Sequence, residues 1–324
     1  MKTFYWLVKR EFWEHRGGFL WTPLICAGLV VVLNILSMIA GGIIGGGFWS
    51  VWHQLTTGSP QDLRNAGTVL NFLAMMPGVV VSIGLFFVLF SYCMKNLSSD
   101  RSDRSILFWK SLPVSDLATV LSKAFSAIVV APVIAVIVSV IGAVLMLLTA
   151  AIAASMQGID FGQVLWGLPQ PGQVVATFIG LLPVYMVWML PSVGWLMLCS
   201  AWTRGRTARW ALGLPFGLGA IIWWLTAMAG NSDIGGWYWH HVALRIAFSV
   251  FPGSWALSDQ ARDPSYLRWS SGADLQVHGM DHLFGQTLAS QYQLLLTPDF
   301  LWGALAGIIM IGIAVWLRRW RTEL

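Results

Sequence analysis

Six long stretches of the chain are almost wholly apolar and contain no Asp, Glu, Lys or Arg. Each is long enough for the roughly 20 residues with which an α-helix crosses the hydrocarbon core of a bilayer. The six stretches are residues 19–44, 69–94, 124–154, 174–202, 210–230 and 300–317. They predict an all-α polytopic membrane protein that forms a single transmembrane domain over residues 1–324.

The composition leads to the same fold class. Hydrophobic residues make up 57% of the 324 residues and charged residues 10%, whereas an ordinary soluble chain has about 25% charged residues. Three scattered cysteines give neither a disulfide framework nor a metal-binding spacing. The first apolar stretch is too long for the core of a signal peptide, so we expect no cleavage.

The distribution of Lys and Arg predicts the orientation. With the N-terminus in the cytoplasm, fifteen of the nineteen basic residues lie on the inner side and four on the outer side. An excess of Lys and Arg in cytoplasmic segments is typical of membrane proteins. We therefore expect both termini to be cytoplasmic, in a multi-pass protein of a bacterial inner membrane.

Residues 237–257 are apolar enough to be mistaken for a seventh span. Arg245 lies in the middle of this stretch, where a charged residue costs about 2.5–3.5 kcal/mol on insertion scales, and Pro252-Gly253 interrupts it. A seventh crossing would also place the basic C-terminal residues outside. We predict a re-entrant or interfacial helix within a long external loop, residues 231–299.

The first 18 residues have an amphipathic pattern. At 100° per residue, Phe4, Tyr5, Val8 and Phe12 share one face of a helix, and Glu11 interrupts the apolar edge. The pattern predicts an interfacial helix along the inner leaflet. The alternative is an ordinary basic flank that only fixes the orientation.

A charged segment, residues 95–123, separates the second and third spans. Ser102 can cap a short helix that begins at Asp103 and ends before Pro113, and Ser115 can cap the next helix with Asp116 in its first turn. Apolar residues between the charges make a plausible plug for a groove on a soluble partner. A solvated loop whose aromatic residues rest on lipid headgroups explains the same pattern equally well.

This segment resembles the cytoplasmic loop between spans two and three of ABC-2 type permeases, the membrane subunits of ABC exporters. The matching elements are Asp100-Arg101, Ser105, Ile106–Trp109, Leu112-Pro113-Val114-Ser115 and Lys123. The six spans, the interfacial helix and the long last external loop also resemble that family. The chain departs from it in having Arg104-Ser105 where the family often has Gly.

The resemblance implies that residues 100–110 are a coupling helix seated on an ATP-binding subunit. Its contacts to that subunit would come from Asp100, Arg101, Asp103, Arg104, Ile106, Leu107, Phe108 and Trp109. Arg204 and Arg206, in the loop 203–209, would make a second contact, although the orientation signal alone also explains them. The implied partners are two copies of an ABC ATP-binding subunit, a second permease subunit that is identical or homologous, and the lipid bilayer. Nucleic acid is not expected.

Several motifs are absent from the sequence. There is no G-x-x-x-x-G-K-[ST], so we expect no ATPase activity and no cofactor on this chain, with ATP and Mg²⁺ held by the partner subunit. No metal site is predicted, because the spacing of His278 and His282 is more typical of a solvated polar loop. The six apolar stretches also lack the ionisable groups with which secondary transporters bind coupling ions.

Aromatic residues on two spans are candidates for lining a pathway between two permease halves. They are Phe86, Phe87 and Phe90 on span two and Trp223 and Trp224 on span five. Contact with lipid or with other helices is the alternative explanation for each of them. A pathway without charges would suit a hydrophobic or amphipathic cargo.

Two functions remain open from the sequence. The first is the permease subunit of an ATP-driven ABC exporter, which forms half of the translocation pathway and receives its conformational drive from a separate ATP-binding subunit. The second is a non-transporting membrane scaffold or assembly factor that docks a cytoplasmic protein through the same segment.

Overall fold

The computed structural model describes residues 2–44, 60–102, 115–156, 158, 160–167, 171–203, 207–230, 233–257, 288 and 291–320. Helices dominate these residues, and no strand occurs among them. Six of the helices are long and apolar enough to cross a membrane. The predicted all-α polytopic membrane fold is therefore confirmed.

The helices follow one another along the chain with few interruptions. They are α1 (Lys2–Glu14), α2 (Thr22–Ile44), α3 (Pro60–Ser102), α4 (Asp116–Phe125), α5 (Ala131–Ser155), α6 (Pro171–Trp188), α7 (Leu190–Trp202), α8 (Thr207–Met228), α9 (Asp233–Tyr238), α10 (Leu244–Phe248) and α11 (Pro298–Trp320). Short π-helical turns lie at Gly17–Trp21, Ser126–Val130, Gln163–Gly167 and Trp239–Ala243, and a 3₁₀ turn lies at Ser254–Leu257.

Helix α3 is longer than a membrane span requires. Its 43 residues correspond to about 65 Å at 1.5 Å per residue, which is twice the thickness of a hydrocarbon core. Its apolar part is Ala66–Ser98, and polar residues continue the helix to Ser102. The helix of the second span therefore extends beyond the membrane at the point where the chain approaches α4.

The third span begins earlier than the apolar pattern suggests. Ser115 caps α4 as predicted: its Oγ accepts a hydrogen bond of 3.2 Å from the backbone N–H of Ala118. A π-helical turn then joins α4 to α5, so that Asp116–Ser155 is one spanning helix. This helix includes the buried Lys123, and the prediction of charge-free spans holds only for the part that begins at residue 124.

The fourth span consists of two helices that meet at Met189. Pro191, in the first turn of α7, has no N–H for the carbonyl four residues earlier, which favours a break between α6 and α7 at this point. Helix α7 then crosses α11 at very short range. A Cβ atom on Gly194 would lie 2.5 Å from the carbonyl oxygen of Gly307 and 3.0 Å from its Cα, so the two backbones are in direct contact.

Residues 233–257 fold back against the middle of the fourth span. The hydroxyl of Tyr185 donates a hydrogen bond of 2.6 Å to the carbonyl of Val250, and Nε1 of Trp188 donates one of 2.8 Å to Ser254 Oγ. Both bonds are buried. Residues 233–257 are called the re-entrant segment below, after the prediction made for this stretch.

Helix α1 packs on the bundle through a stripe that adjoins the predicted apolar face. Phe4 contacts Phe125 and Phe12 packs against the core. Leu7 and Glu11 are buried beside them, and Tyr5 is 60% exposed. Glu11 is tolerated inside because its partner, Lys123, comes from a distant part of the chain.

Candidate functional site

Four polar side chains from three helices meet inside the protein, where α1 and α4 pack against the last turns of α3. Glu11 comes from α1, Tyr92 and Asn96 from α3, and Lys123 from α4. All four are almost inaccessible, with exposed fractions of 0%, 5%, 2% and 3% in that order. Charged side chains are rarely buried this deeply unless they are paired. These residues are called the inner polar cluster below.

The carboxylate of Glu11 is the centre of the inner polar cluster. Lys123 Nζ lies 3.5 Å from Glu11 Oε1, and Arg10 Nη2 donates a hydrogen bond of 2.9 Å to the same oxygen. Tyr92 Oη donates one of 3.1 Å to Glu11 Oε2. A buried carboxylate is thus stabilised by two cations and a hydroxyl, which compensates for the loss of its water.

Lys123 connects this centre to the end of α3. Its Nζ donates hydrogen bonds of 2.6 Å to Asn96 Oδ1 and 3.1 Å to the backbone carbonyl of Asn96. A carbonyl near the C-terminus of a helix is a favourable partner for a cation. Lys123 therefore fixes α4 to the last turns of α3, and these are the two helices on either side of residues 103–114.

Two more contacts hold the same end of the bundle. The backbone N–H groups of Leu97 and Ser98 donate to Ser200 Oγ of α7 at 3.1 Å and 3.0 Å. Arg318 Nε of α11 lies 3.3 Å from Asp116 Oδ1 in the first turn of α4. Both helices that flank residues 103–114 are therefore attached to the rest of the bundle by polar contacts.

The predicted coupling residues fall at the edge of the described structure. Asp100 and Arg101 belong to the last turn of α3. The others lie outside the described residues: Asp103, Arg104, Ile106, Leu107, Phe108, Trp109, Arg204 and Arg206. The sequence did single out Lys123 as a motif residue and Glu11 as an irregularity, but it gave no sign that the two are paired.

The predicted pathway residues divide into two groups. The ring of Phe86 stacks on Phe90 (5.7 Å between centroids) and on Phe248 of the re-entrant segment (6.2 Å, 14° between planes). Phe87, Trp223 and Trp224 are instead 62%, 54% and 58% exposed. The structure thus joins part of the span-two aromatic set to the re-entrant segment and leaves the rest on the surface of the single chain.

One group of possible metal ligands lies beside the inner polar cluster. The ligand atoms of Glu11, Glu14 and His15 are within 4.8 Å of one another. Glu11 already pairs with two cationic side chains, and their positive charge opposes a metal ion at this position. His278 and His282, which the sequence analysis considered, lie outside the described residues.

Comparison with known families gives one match, and it covers this part of the chain. Residues 66–168, about a third of the sequence, match the family model described as ABC-2 family transporter protein. No curated protein and no solved structure matches the sequence significantly. The matched segment contains the α3 and α4 residues of the inner polar cluster and the stretch between those helices. The predicted resemblance to ABC-2 type permeases is thereby confirmed over residues 66–168, the part of this multi-pass membrane protein that is similar to the ABC-2 transporter family.

Proposed function

We propose that this chain is the permease subunit of an ATP-driven exporter and that residues 100–110 receive the drive from a separate ATP-binding subunit. The match of residues 66–168 to the ABC-2 transporter family supports a permease role. Membrane proteins of this family work in general with an ABC ATP-binding partner, which would hold ATP and Mg²⁺.

The observation that carries this proposal is the linkage made by the inner polar cluster. Lys123 joins α4 to α3 through Asn96 and joins both to α1 through Glu11. A force applied between α3 and α4 would therefore be shared among three helices rather than absorbed by a loop. A connection of this kind suits a segment that must convert a push from a partner into the movement of spans.

The rest of the assembly follows from the proposal. Two ATP-binding subunits would act on two permease subunits, identical or homologous, in a bacterial inner membrane with both termini in the cytoplasm. The exposed surface of α8 supports a second permease subunit. No atom lies within 4 Å of where a Cβ atom of Gly213 or Gly217 would be, and Trp223 and Trp224 are exposed on the same helix.

The experiment that tests the proposal is the double substitution Phe108→Ala and Trp109→Ala. The chain is co-expressed with the ABC ATP-binding subunit that co-purifies with it, and ATPase activity is measured in proteoliposomes with and without the permease. We expect the variant to fold normally and to lose stimulation of the ATPase. The matched control is Phe161→Ala, an exposed aromatic outside residues 100–123.

Two outcomes would contradict the proposal. Unchanged binding and stimulation of the ATPase by the double variant would show that residues 100–110 are not the coupling helix. A chain that captures a cytoplasmic protein without any ATP-binding subunit would instead support the scaffold function.

A further inference from the structure

Arg245 is a charged residue that the coupling argument does not use. It lies in α10, on the re-entrant segment, and its backbone carbonyl accepts a hydrogen bond of 3.0 Å from Ser192 Oγ of α7. This bond fixes the backbone at the residue that carries the guanidinium group. The position of the side chain is therefore set by the fold.

The guanidinium of Arg245 packs closely against residues of two other helices. Its Cζ lies 4.4 Å from the centroid of the Trp188 ring, a cation–π contact. Its Nη2, Cζ and Nε also lie against Gly303 of α11, where a Cβ atom would overlap all three.

One edge of this guanidinium carries two buried donors without acceptors in the described part of the chain. Arg245 Nε and Nη2 are buried and have no hydrogen-bond partner among the described residues. Their N–H bonds are parallel and form the fork with which arginine binds carboxylate or phosphate in a bidentate way. The nearby carboxylate of Asp299 lies 3.7 Å from His241 Nε2 and does not occupy the fork. Leaving such donors unpaired in the interior is costly.

The surroundings of the fork are apolar and aromatic. Phe248 follows Arg245 by three residues on the same helical segment, stacks on Phe86 and is 43% exposed. Phe251 also contacts Phe86, with 5.8 Å between ring centroids. A molecule that places an anionic group on the fork would therefore meet aromatic rings with its remaining part.

We propose that Arg245 binds the carboxylate or phosphate group of an amphipathic molecule whose apolar part lies along Phe248 and Phe86. Trp188 and Gly303 orient the fork, and Arg245 supplies the recognition. A membrane lipid and a transported cargo both have this chemistry. If the bound molecule is the cargo, the proposal rests on the proposed permease function and narrows the cargo to anionic amphiphiles.

The test uses the full-length chain in phosphatidylcholine nanodiscs, without an ATP-binding subunit, and dodecyl phosphate as the probe. We expect saturable binding to the wild-type chain and binding at least about tenfold weaker to Arg245→Gln, because two charge-assisted hydrogen bonds are lost. Arg245→Lys keeps the charge without the fork and should also bind more weakly than the wild type. Arg209→Gln, at an exposed arginine, is the matched control and should bind as the wild type does.

The outcomes distinguish a lipid from a cargo as the ligand, and they test this site separately from the proposed permease function. Enrichment of an anionic phospholipid in the purified wild-type chain over Arg245→Gln would identify a lipid, and competition by cargo alone would identify the cargo. Equal binding by the wild type, Arg245→Gln and Arg245→Lys would overturn the site, as would absence of saturable binding to the wild type. If Arg245→Gln does not fold, Arg245→Lys gives the answer. A negative result in this binding assay does not bear on the Phe108 and Trp109 experiment, because the binding assay contains no ATP-binding subunit and the other experiment measures ATPase stimulation.

Discussion

Lys123 Nζ lies 3.5 Å from Glu11 Oε1, inside the protein, and joins the N-terminal helix to the helix that follows residues 103–114. Both side chains are almost fully buried. Removing one member of a buried ion pair leaves the other charge uncompensated, which costs about 3–5 kcal/mol in typical cases. Loss of either member alone should therefore weaken the packing of α1 against α3 and α4.

We expect Glu11→Gln and Lys123→Met each to lower the stability of the purified chain by about 2–4 kcal/mol, somewhat less than a bare pair would cost. The expected loss is smaller than the typical cost because the remaining charge keeps another partner. Arg10 still pairs with Glu11 when Lys123 is replaced, and Asn96 still pairs with Lys123 when Glu11 is replaced. Thermal denaturation in detergent, followed by gel filtration, measures the effect. Glu14→Gln and Lys95→Met alter exposed charges and should leave the stability within about 0.5 kcal/mol. Equal effects of buried and exposed variants would refute the structural role of the pair.

The crossing of α7 and α11 should tolerate no side chain at Gly307. A Cβ atom there would lie 2.5 Å from backbone atoms of Leu190, and backbone cannot move aside as a side chain can. We expect Gly307→Ala to destabilise the chain by about 1–3 kcal/mol in the same denaturation assay. Gly312→Ala, on the same helix with open space around it, should be neutral or slightly stabilising. A neutral Gly307→Ala would mean that the two helices are farther apart.

Tyr185 should hold the turn of the re-entrant segment. Its hydroxyl donates a buried hydrogen bond of 2.6 Å to the carbonyl of Val250, and Tyr185→Phe leaves that carbonyl unpaired at a cost of about 1–3 kcal/mol. We expect faster hydrogen–deuterium exchange at residues 244–254, measured by mass spectrometry. Tyr292→Phe removes a bond made by an exposed tyrosine and should leave exchange in this segment unchanged. Equal exchange in the two variants would argue against the anchoring role.

The orientation can be checked with single cysteines in a chain from which Cys26, Cys93 and Cys199 have been removed. We expect cysteines at residues 2 and 110 to react with an impermeant maleimide only in inverted vesicles. A cysteine at residue 270 should react in intact cells. These results follow from the excess of Lys and Arg on the inner side. Labelling of residue 110 from outside would reverse the proposed topology.

The sequence is informative where the determinant is local. The number of spans follows from the length of apolar runs, and the Ser115 cap follows from one residue and its neighbours. The absence of a continuous long helix over residues 237–257 was also predictable, because Arg245 and Pro252-Gly253 argue against a span. In each case the relevant energy comes from the residues themselves and from the solvent around them.

The inner polar cluster depends on residues that are far apart in the chain, and for that reason its pairing was not predictable. Glu11 disturbs the apolar edge of α1, and only the position of Lys123 explains why it is tolerated there. The Arg245 fork likewise requires Trp188 and Gly303, which lie on two other helices.

The proposed function requires that this chain take its energy from a nucleotide-driven partner. The most direct test of that requirement is transport in proteoliposomes that contain the permease with or without the ATP-binding subunit. We expect transport of an anionic amphiphile only when the partner and ATP are both present. Transport by the permease alone, driven by an imposed proton or sodium gradient, would contradict the account.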